Sequence, residues 1–377
     1  MRTKKAFGIQ TVLLLLALVG ALVFFSIEMG LSNFFSTLMA TAHDLLLNTV
    51  FFIMAITVLS GAFGSFLAEF GVLELLNWIL APIVRLIWRM PGVSAIGALS
   101  TYISDNPAII ALSKDASFID NFDEYQKPAL ANFGTAFGMG LIVTAFMMAQ
   151  GFFKEAFIGN LGAVAGSIVS TRIMLRFTRK EFGIDGKIRI NEKRTMKPIG
   201  REIRDGNVFQ RILSSLLEGG KNGLEIGFQI VPGVLVICTL VLMMTFGPGD
   251  SGYDGSAFQG VPVLPLLGKV LYYPMKILFG FTSPDAIAFP ITALGAVGAA
   301  LALVPRFVSE GLVKGGDIAV FTAIGMCWSG YLSTHIAMMD SLGYRKLTSK
   351  AILSHTIGGV AAGVTAHYVY ILVVFLS

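Results

Sequence analysis

The chain has 377 residues, of which 55% are hydrophobic and only 14% are charged, and its formal net charge is +5. A soluble protein of this length could not bury so much apolar surface without leaving large hydrophobic patches exposed. The composition therefore excludes an ordinary soluble protein. It predicts an all-α polytopic membrane protein, because uncharged runs of about 20 residues can cross a bilayer as helices.

Seven apolar runs are expected to form full spans. The first, at 6–27, follows a basic N-terminus. We interpret it as a retained span and not as a signal peptide, because its apolar run is too long for a typical signal sequence. The six other runs occupy 45–68, 128–153, 156–171, 226–249, 318–339 and 351–377.

The segment 93–117 is apolar except at its centre, which reads Ser104, Asp105, Asn106 and Pro107. Each arm has about ten residues, or roughly 15 Å at the helical rise, which reaches only the middle of a bilayer. The segment is therefore predicted to be a re-entrant hairpin whose tip lines a cavity or packs inside the protein. Asp105 and Asn106 could cap the second arm, with Pro107 in its first turn. Two interpretations stand, a cap alone or a functional site.

The two halves of the sequence repeat one order of elements: a span, an amphipathic stretch with a proline, a short apolar segment and another span. Pro82 in the first amphipathic stretch aligns with Pro274 in the second. The short segment 283–305 is accordingly predicted to be a second hairpin. The other aligned pairs include Leu75 with Leu267, Ile79 with Leu271, Leu86 with Leu278, Thr101 with Thr292, and Gly134 with Gly325.

The charge distribution predicts that the two halves cross the membrane in opposite directions. Residues 176–211 contain eleven Lys or Arg against five Asp or Glu, which predicts a cytoplasmic loop near anionic lipid and not a nucleic-acid site. With both short segments as hairpins, the N-terminus lies in the cytoplasm and the C-terminus outside. Inverted repeats of this kind are typical of secondary transporters. The expected segments are an N-terminal span with its connection at 1–43, a first repeat at 44–175, the basic loop at 176–211, a second repeat at 212–340 and a C-terminal span at 341–377.

The repeated stretch, hairpin and span resemble the nucleoside-recognition (gate) domain membrane proteins. "ISDNPAII" looks like a first hairpin tip and "TSPDAIAFPITALG" looks like part of the second. The resemblance covers roughly 44–149 and 218–339, and it implies an architecture similar to that of concentrative nucleoside transporters. Related gate domains occur in ferrous-iron permeases and sporulation membrane proteins. The P-loop motif of the GTP-binding domain that is fused to iron permeases does not occur in this sequence.

Polar residues on the hairpins and on the spans that follow them are the candidate substrate-binding groups. Asn132 and Thr135 are three residues apart and share a helix face, and the repeat alignment places Ser329 at a depth similar to that of Asn132. Small polar residues also join helices in membranes, so packing is the alternative role. The candidates are Ser100, Thr101, Ser104, Asp105, Asn106, Asn132, Thr135, Thr292 and Ser329.

Asp105, Glu225, Gln229 and His335 are the candidates for ion coupling. Glu225 and Gln229 are one helical turn apart, with an interfacial pair between Lys221 and Glu225 as the alternative. His335 is either a solvated histidine near the end of its span or a proton relay. Na⁺ or H⁺ is the expected coupling ion, and no other cofactor is expected. We expect no enzymatic activity, because neither catalytic nor metal-ligand spacing is present.

These observations predict a secondary transporter for a small polar solute, such as a nucleoside or a similar ring compound, held between two hairpin tips. The expected location is the plasma membrane or a bacterial inner membrane. The expected partners are the small-molecule substrate and the lipid bilayer, with a homo-oligomer left open. The alternatives are a structural or regulatory gate-domain protein that does not transport, and a divalent metal ion permease.

Overall fold

The computed structural model describes residues 7–184 and 203–376, except for the side chains of residues 116 and 117. Most of the basic loop, at 185–202, lies outside these residues. In the described part, the named secondary-structure elements are all helices, and six helical stretches, some formed by consecutive elements, are long and apolar enough to cross a membrane. The prediction of an all-α polytopic membrane protein is therefore confirmed.

The N-terminal part consists of two long helices. Helix α1 (Ile9–Met29) buries only Phe25 and Met29, as expected of a helix that lies in lipid. Helix α2 (Leu31–Asp44) continues through one π-helical segment (Leu45–Val50) into α3 (Phe51–Glu69). The predicted span at 45–68 is thus the second part of one 39-residue helix.

The first repeat continues with an amphipathic helix and a helical hairpin. Gly97 and Ile109 are 12 residues apart, or about 18 Å along a straight helix. A Cβ on Gly97 would nevertheless collide with Cδ1 of Ile109, so the chain turns back between them. The break lies at the predicted residues 104–106, with Pro107 opening the second arm. The helices are α4 (Val72–Ile87), α5 (Ser94–Ile103), α6 (Pro107–Leu112), α7 (Ala116–Ile119), α8 (Ala129–Thr135) and α9 (Gly140–Ala149).

The second repeat has the same order of elements. Its hairpin segment turns at Ala296, whose backbone is extended, and the helices on either side pack against each other. Both hairpins are helix–break–helix units, and their depth in the membrane remains a prediction. The helices are α11 (Val208–Pro232), a π-helical segment (Gly233–Cys238), α12 (Thr239–Met243), α13 (Val263–Phe279), a 3₁₀ turn (Pro284–Ile287), α14 (Ala288–Gly295), α15 (Val297–Ser309), α16 (Gly315–Cys327) and α17 (Tyr331–Ser341).

Two of the predicted spans contain a turn that the sequence analysis did not predict, although the stretch Ala129–Ala149 is still long and apolar enough to cross a membrane. The run at 128–153 is divided into α8 and α9 by a turn at 136–139, and the run at 318–339 is divided into α16 and α17 at 328–330. Met139 and Gly330 adopt the left-handed conformation, with φ of 53° and 56°. A left-handed residue breaks the run of α-helical hydrogen bonds. The two residues are 191 positions apart, the same offset as the aligned pair Gly134 and Gly325.

Glycines allow the two halves to approach closely. Helices α3 and α11 pack backbone to backbone, and a Cβ on Gly223 would collide with the carbonyl oxygen of Thr57. Helix α10 (Phe153–Glu181) packs in the same way on α18 (Thr348–Leu376), which is preceded by a 3₁₀ turn (Arg345–Leu347). Small residues at such contacts are typical of helix packing in membranes.

A buried carboxylate fixes the end of the basic loop to the membrane domain. Glu69, the last residue of α3, has a side chain that is only 2% exposed. Its Oε2 pairs with Nη1 of Arg204 at 2.7 Å, and its Oε1 pairs with Nε of Arg211 at 2.6 Å. Arg204 also pairs with Glu218 of α11 at 2.7 Å. Arg204 precedes α11 and Arg211 lies in its first turn, so these ion pairs hold the start of α11 against the end of α3.

Candidate binding site

Four interruptions of the helices meet at one cavity. They are the α5–α6 tip, the turn between α8 and α9, the extended residue between α14 and α15, and the turn between α16 and α17. The cavity has a volume of about 240 Å³. Discontinuous helices that converge in this way expose backbone groups to a ligand and not to lipid. The polar residues that line the cavity are Asp105, Asn106, Gln229, Ser329, Ser333 and Thr334.

Asn106 joins the first hairpin to the second repeat. Its side chain is buried, and Nδ2 donates a short hydrogen bond to the carbonyl oxygen of Ser329. It forms no side-chain capping bond at the start of α6, so the cap interpretation is wrong for Asn106. A Cβ on Gly138 would lie 2.6 Å from Oδ1 of Asn106, which shows how closely the turn between α8 and α9 approaches this tip.

Two oxygen atoms at the first tip are buried acceptors without a partner among the described residues. They are Oδ1 of Asp105 and Oδ1 of Asn106. A buried acceptor that is left unpaired costs about 1 to 3 kcal/mol. A ligand that donates hydrogen bonds, or a cation, would remove this cost. The first tip can therefore recognise a donor-rich or positively charged group.

The second repeat supplies hydroxyl and amide groups on the facing side. Ser333 and Thr334 both donate to the carbonyl oxygen of Gly330, at 2.9 and 3.2 Å. Because each hydroxyl proton is used in this way, the oxygen lone pairs remain available as acceptors. Gln229 reaches the cavity from α11, and Ser329 lies in the turn between α16 and α17. The second tip has Ala296 where the first has Asp105, so the carboxylate is on one tip only.

None of four other predicted binding residues lines the cavity: Ser100, Thr101, Ser104 and Thr292. The Ser104 hydroxyl donates to the carbonyl oxygen of Ser100 at 2.7 Å, and Thr292 donates to that of Ala288 at 2.7 Å. The Thr101 hydroxyl lies 3.0 Å from the carbonyl oxygen of Gly134 in α8. These bonds hold the hairpin arms in place around the cavity.

Asn132, Thr135 and His335 belong to a second, fully buried polar cluster, which is centred on His355 of α18. Asn132 donates to Oγ of Ser170 at 3.0 Å, and Ser170 lies 2.9 Å from Nδ1 of His355. Nε2 of His355 is 2.6 Å from the carbonyl oxygen of Cys327 and 3.4 Å from the Thr135 hydroxyl.

Neutral His355 satisfies these contacts if Nε2–H donates to Cys327 and Nδ1 accepts the Ser170 proton. The His335 ring packs beside it at an interplanar angle of 48°, with ring centroids 4.6 Å apart. The sequence analysis did not identify the pair of Ser170 and His355, because no spacing along the chain connects α10 to α18. Glu225, the remaining candidate, has an exposed side chain on α11 and is not among the cavity-lining residues.

Comparison with known proteins supports the fold and leaves the function open. No protein-family model matches the chain, and no curated protein is significantly similar to it in sequence. Solved structures of CNTnw, a concentrative nucleoside transporter, are similar to it in three dimensions. A CNTnw variant in an "intermediate 2" state has a TM-score of 0.50 and 14% identity, covering 97% of this chain and 93% of that chain.

CNTnw in an inward-facing substrate-bound state has a TM-score of 0.49, with the same identity and coverage. A CNTnw variant in an outward-facing state has a TM-score of 0.46 and 14% identity, covering 97% of this chain and 92% of that chain. At these identities the likeness concerns the fold alone. The chain is therefore a multi-pass membrane protein with a fold similar to that of concentrative nucleoside transporters.

Proposed function

We propose that this protein is a secondary transporter that binds a small polar solute between the two hairpin tips. The observation that carries the proposal is the convergence of four helix breaks on a cavity with two buried acceptors that have no partner among the described residues. The volume of the cavity, about 240 Å³, lies just below the range of about 300 to 1,000 Å³ that is usual for ligand pockets. The solute is therefore small, as a nucleoside or a similar ring compound is.

The polar lining favours a solute with hydrogen-bond donors. Asp105 and Asn106 offer acceptor oxygens on one side, while Ser333 and Thr334 offer hydroxyl lone pairs on the other. Amino, hydroxyl and ring N–H groups of a nucleoside-like compound match this set. Membership in the nucleoside-recognition (gate) domain family fits the same geometry, and no enzymatic activity is proposed.

Asp105 is the proposed coupling group. It is the one carboxylate among the cavity-lining residues, and it could bind Na⁺ together with backbone carbonyl oxygens or carry a proton. Gln229 lines the same cavity and could assist, whereas His335 and Glu225 would have to act from outside it. The cavity would open alternately to the two sides of the membrane as one repeat moves against the other.

The orientation follows from the basic segments. The N-terminus, the α4 end and the 3₁₀ turn before α18 are placed in the cytoplasm, and the C-terminus is placed outside the plasma or inner membrane. Self-association into a homo-oligomer is compatible with this arrangement. A divalent metal ion permease is the weaker alternative, because such a cation would meet a single carboxylate in this cavity.

A thermal-unfolding screen of the purified protein tests the proposal. Nucleosides, nucleobases, small dicarboxylates and divalent metal ions are added one at a time, and uptake of each stabilising compound is then measured in proteoliposomes. A ligand that binds only the native state raises the melting temperature, by an amount that grows with its concentration over Kd. A compound that both stabilises and accumulates supports transport. Stabilisation by none of these compounds would favour the structural or regulatory alternative.

A further inference from the structure

Four arginines meet where α4 ends and α10 approaches its C-terminus. Arg172, Arg176 and Arg179 are four and three residues apart on α10, so they occupy one face of that helix. Arg89 lies two residues after the end of α4. The Nε group of Arg172 donates to the carbonyl oxygen of Ile87, two residues before Arg89, so the end of α4 meets this face of α10. We call these four residues the arginine cluster.

The arginine cluster is not neutralised within the part of the chain that the structure describes. None of the ion pairs there includes any of its members. Arg172 donates through Nε to the carbonyl oxygen of Ile87 at 2.7 Å, and Arg179 lies over the ring of Tyr125, 5.6 Å from its centroid. Asp123, two residues before Tyr125, is in none of these ion pairs either.

One donor of the cluster is also unused. Nε of Arg179 is buried and has no hydrogen-bond partner among the described residues. Like charges at short range repel one another, and an unpaired buried donor costs free energy. An anion bound between the guanidinium groups would relieve both costs. Guanidinium groups match the oxygen atoms of phosphate particularly well.

The surroundings of the cluster are apolar and face outward. Helix α4 exposes Trp78 and Leu86 to 72% and 78%, together with Leu75, Ile79 and Ile83. Helix α4 is amphipathic and, at 16 residues, too short to cross a bilayer, and an amphipathic helix of this kind lies at the boundary between acyl chains and headgroups. The arginine cluster at its end is then at the level of the headgroups. In the proposed orientation this is the cytoplasmic leaflet, where anionic lipids attract basic residues.

We propose that the arginine cluster binds the phosphate of an anionic phospholipid whose acyl chains cover the exposed apolar face of α4. Only residues 88–93 separate α4 from the first arm of the hairpin. A lipid at this position would therefore hold the base of the first hairpin at the membrane surface. The proposal is independent of the solute that the cavity takes.

The test measures binding to the full-length protein in uncharged detergent. The probes are dioctanoyl phosphatidylglycerol, dioctanoyl phosphatidylcholine with the same chains, and inorganic phosphate, each titrated against the unfolding temperature to obtain a Kd. The double variant Arg89→Gln/Arg176→Gln removes two exposed side chains of the cluster. Arg345→Gln/Lys346→Gln is the matched control, since it removes two exposed charges from another basic turn on the same side.

We expect phosphatidylglycerol to stabilise the protein more than phosphatidylcholine does. The double variant should weaken phosphatidylglycerol binding about 30-fold, because each basic residue near an anionic headgroup contributes about five-fold. The control variant should bind as the unchanged protein does. Equal stabilisation by both lipids, an equal loss in the control variant, or full stabilisation by inorganic phosphate alone would each overturn the proposal. If the double variant does not fold, Arg176→Gln alone takes its place, with an expected loss of about five-fold.

Discussion

Replacing Asp105 by asparagine should weaken solute binding without disturbing the fold. Asparagine has nearly the same size and keeps one carbonyl oxygen at the first hairpin tip. Oδ1 of Asp105 has no partner among the described residues, so the substitution breaks no hydrogen bond of that atom within the protein. The main expected effect is therefore on the interaction with a ligand.

The expected loss follows from the chemistry of that interaction. A hydrogen bond to a charged group contributes about 1.5 to 3 kcal/mol, so Kd should rise about 10- to 150-fold in Asp105→Asn. The assay is the unfolding-temperature titration with the stabilising solute, followed by uptake in proteoliposomes. Asp340→Asn, which changes an exposed carboxylate of α17, is the control and should bind normally.

Unchanged binding and uptake in Asp105→Asn would refute the proposed role of the carboxylate. The variant Asp105→Glu separates two further possibilities. If the carboxylate carries the coupling proton, the dependence of the uptake rate on pH should shift in Asp105→Glu. If it only binds the solute, the change should be mainly in apparent affinity.

Two further predictions concern packing and orientation. Gly223→Ala should lower the free energy of unfolding by about 1 to 3 kcal/mol in denaturant unfolding, because the added Cβ would collide with the backbone of α3. Gly220→Ala is the control and should be neutral or stabilising, because the nearest neighbour of its added Cβ would be 3.5 Å away. Equal effects would contradict the close α3–α11 contact. A single cysteine in place of Asp120 should react with an impermeant maleimide only from the cytoplasm. A single cysteine in place of Ser256 should react only from outside. Labelling of both from one side would rule out the inverted repeats.

The sequence predicted the features that depend on local chemistry. The uncharged runs indicated the membrane class, and the group around Asp105 and Pro107 located the break in the first hairpin at 104–106, where the structure has it. The alignment of Pro82 with Pro274 also identified the amphipathic helices α4 and α13, each of which contains its proline. These features leave a signal within a few residues of the chain.

The breaks at 136–139 and 328–330 could not be predicted in the same way. Neither contains a proline, and Met139 is a residue that rarely adopts the left-handed conformation. Both turns contact the first hairpin tip, through the close approach of Gly138 to Asn106 and the hydrogen bond from Asn106 to Ser329, and such contacts between distant segments leave no local signal in the sequence. For the same reason the sequence could not separate Asn106, which lines the cavity, from Asn132, whose amide is used in the buried cluster around His355.

Protection of a cavity cysteine by the solute tests the central claim most directly. Ser333→Cys places a thiol in the cavity lining, and the two native cysteines, Cys238 and Cys327, are buried, so background labelling should be low. A saturating concentration of the transported solute should slow alkylation of Ser333→Cys at least ten-fold and leave Ser256→Cys, outside the cavity, unchanged. Unaltered alkylation at position 333, under conditions in which the solute stabilises the protein, would show that the solute binds elsewhere.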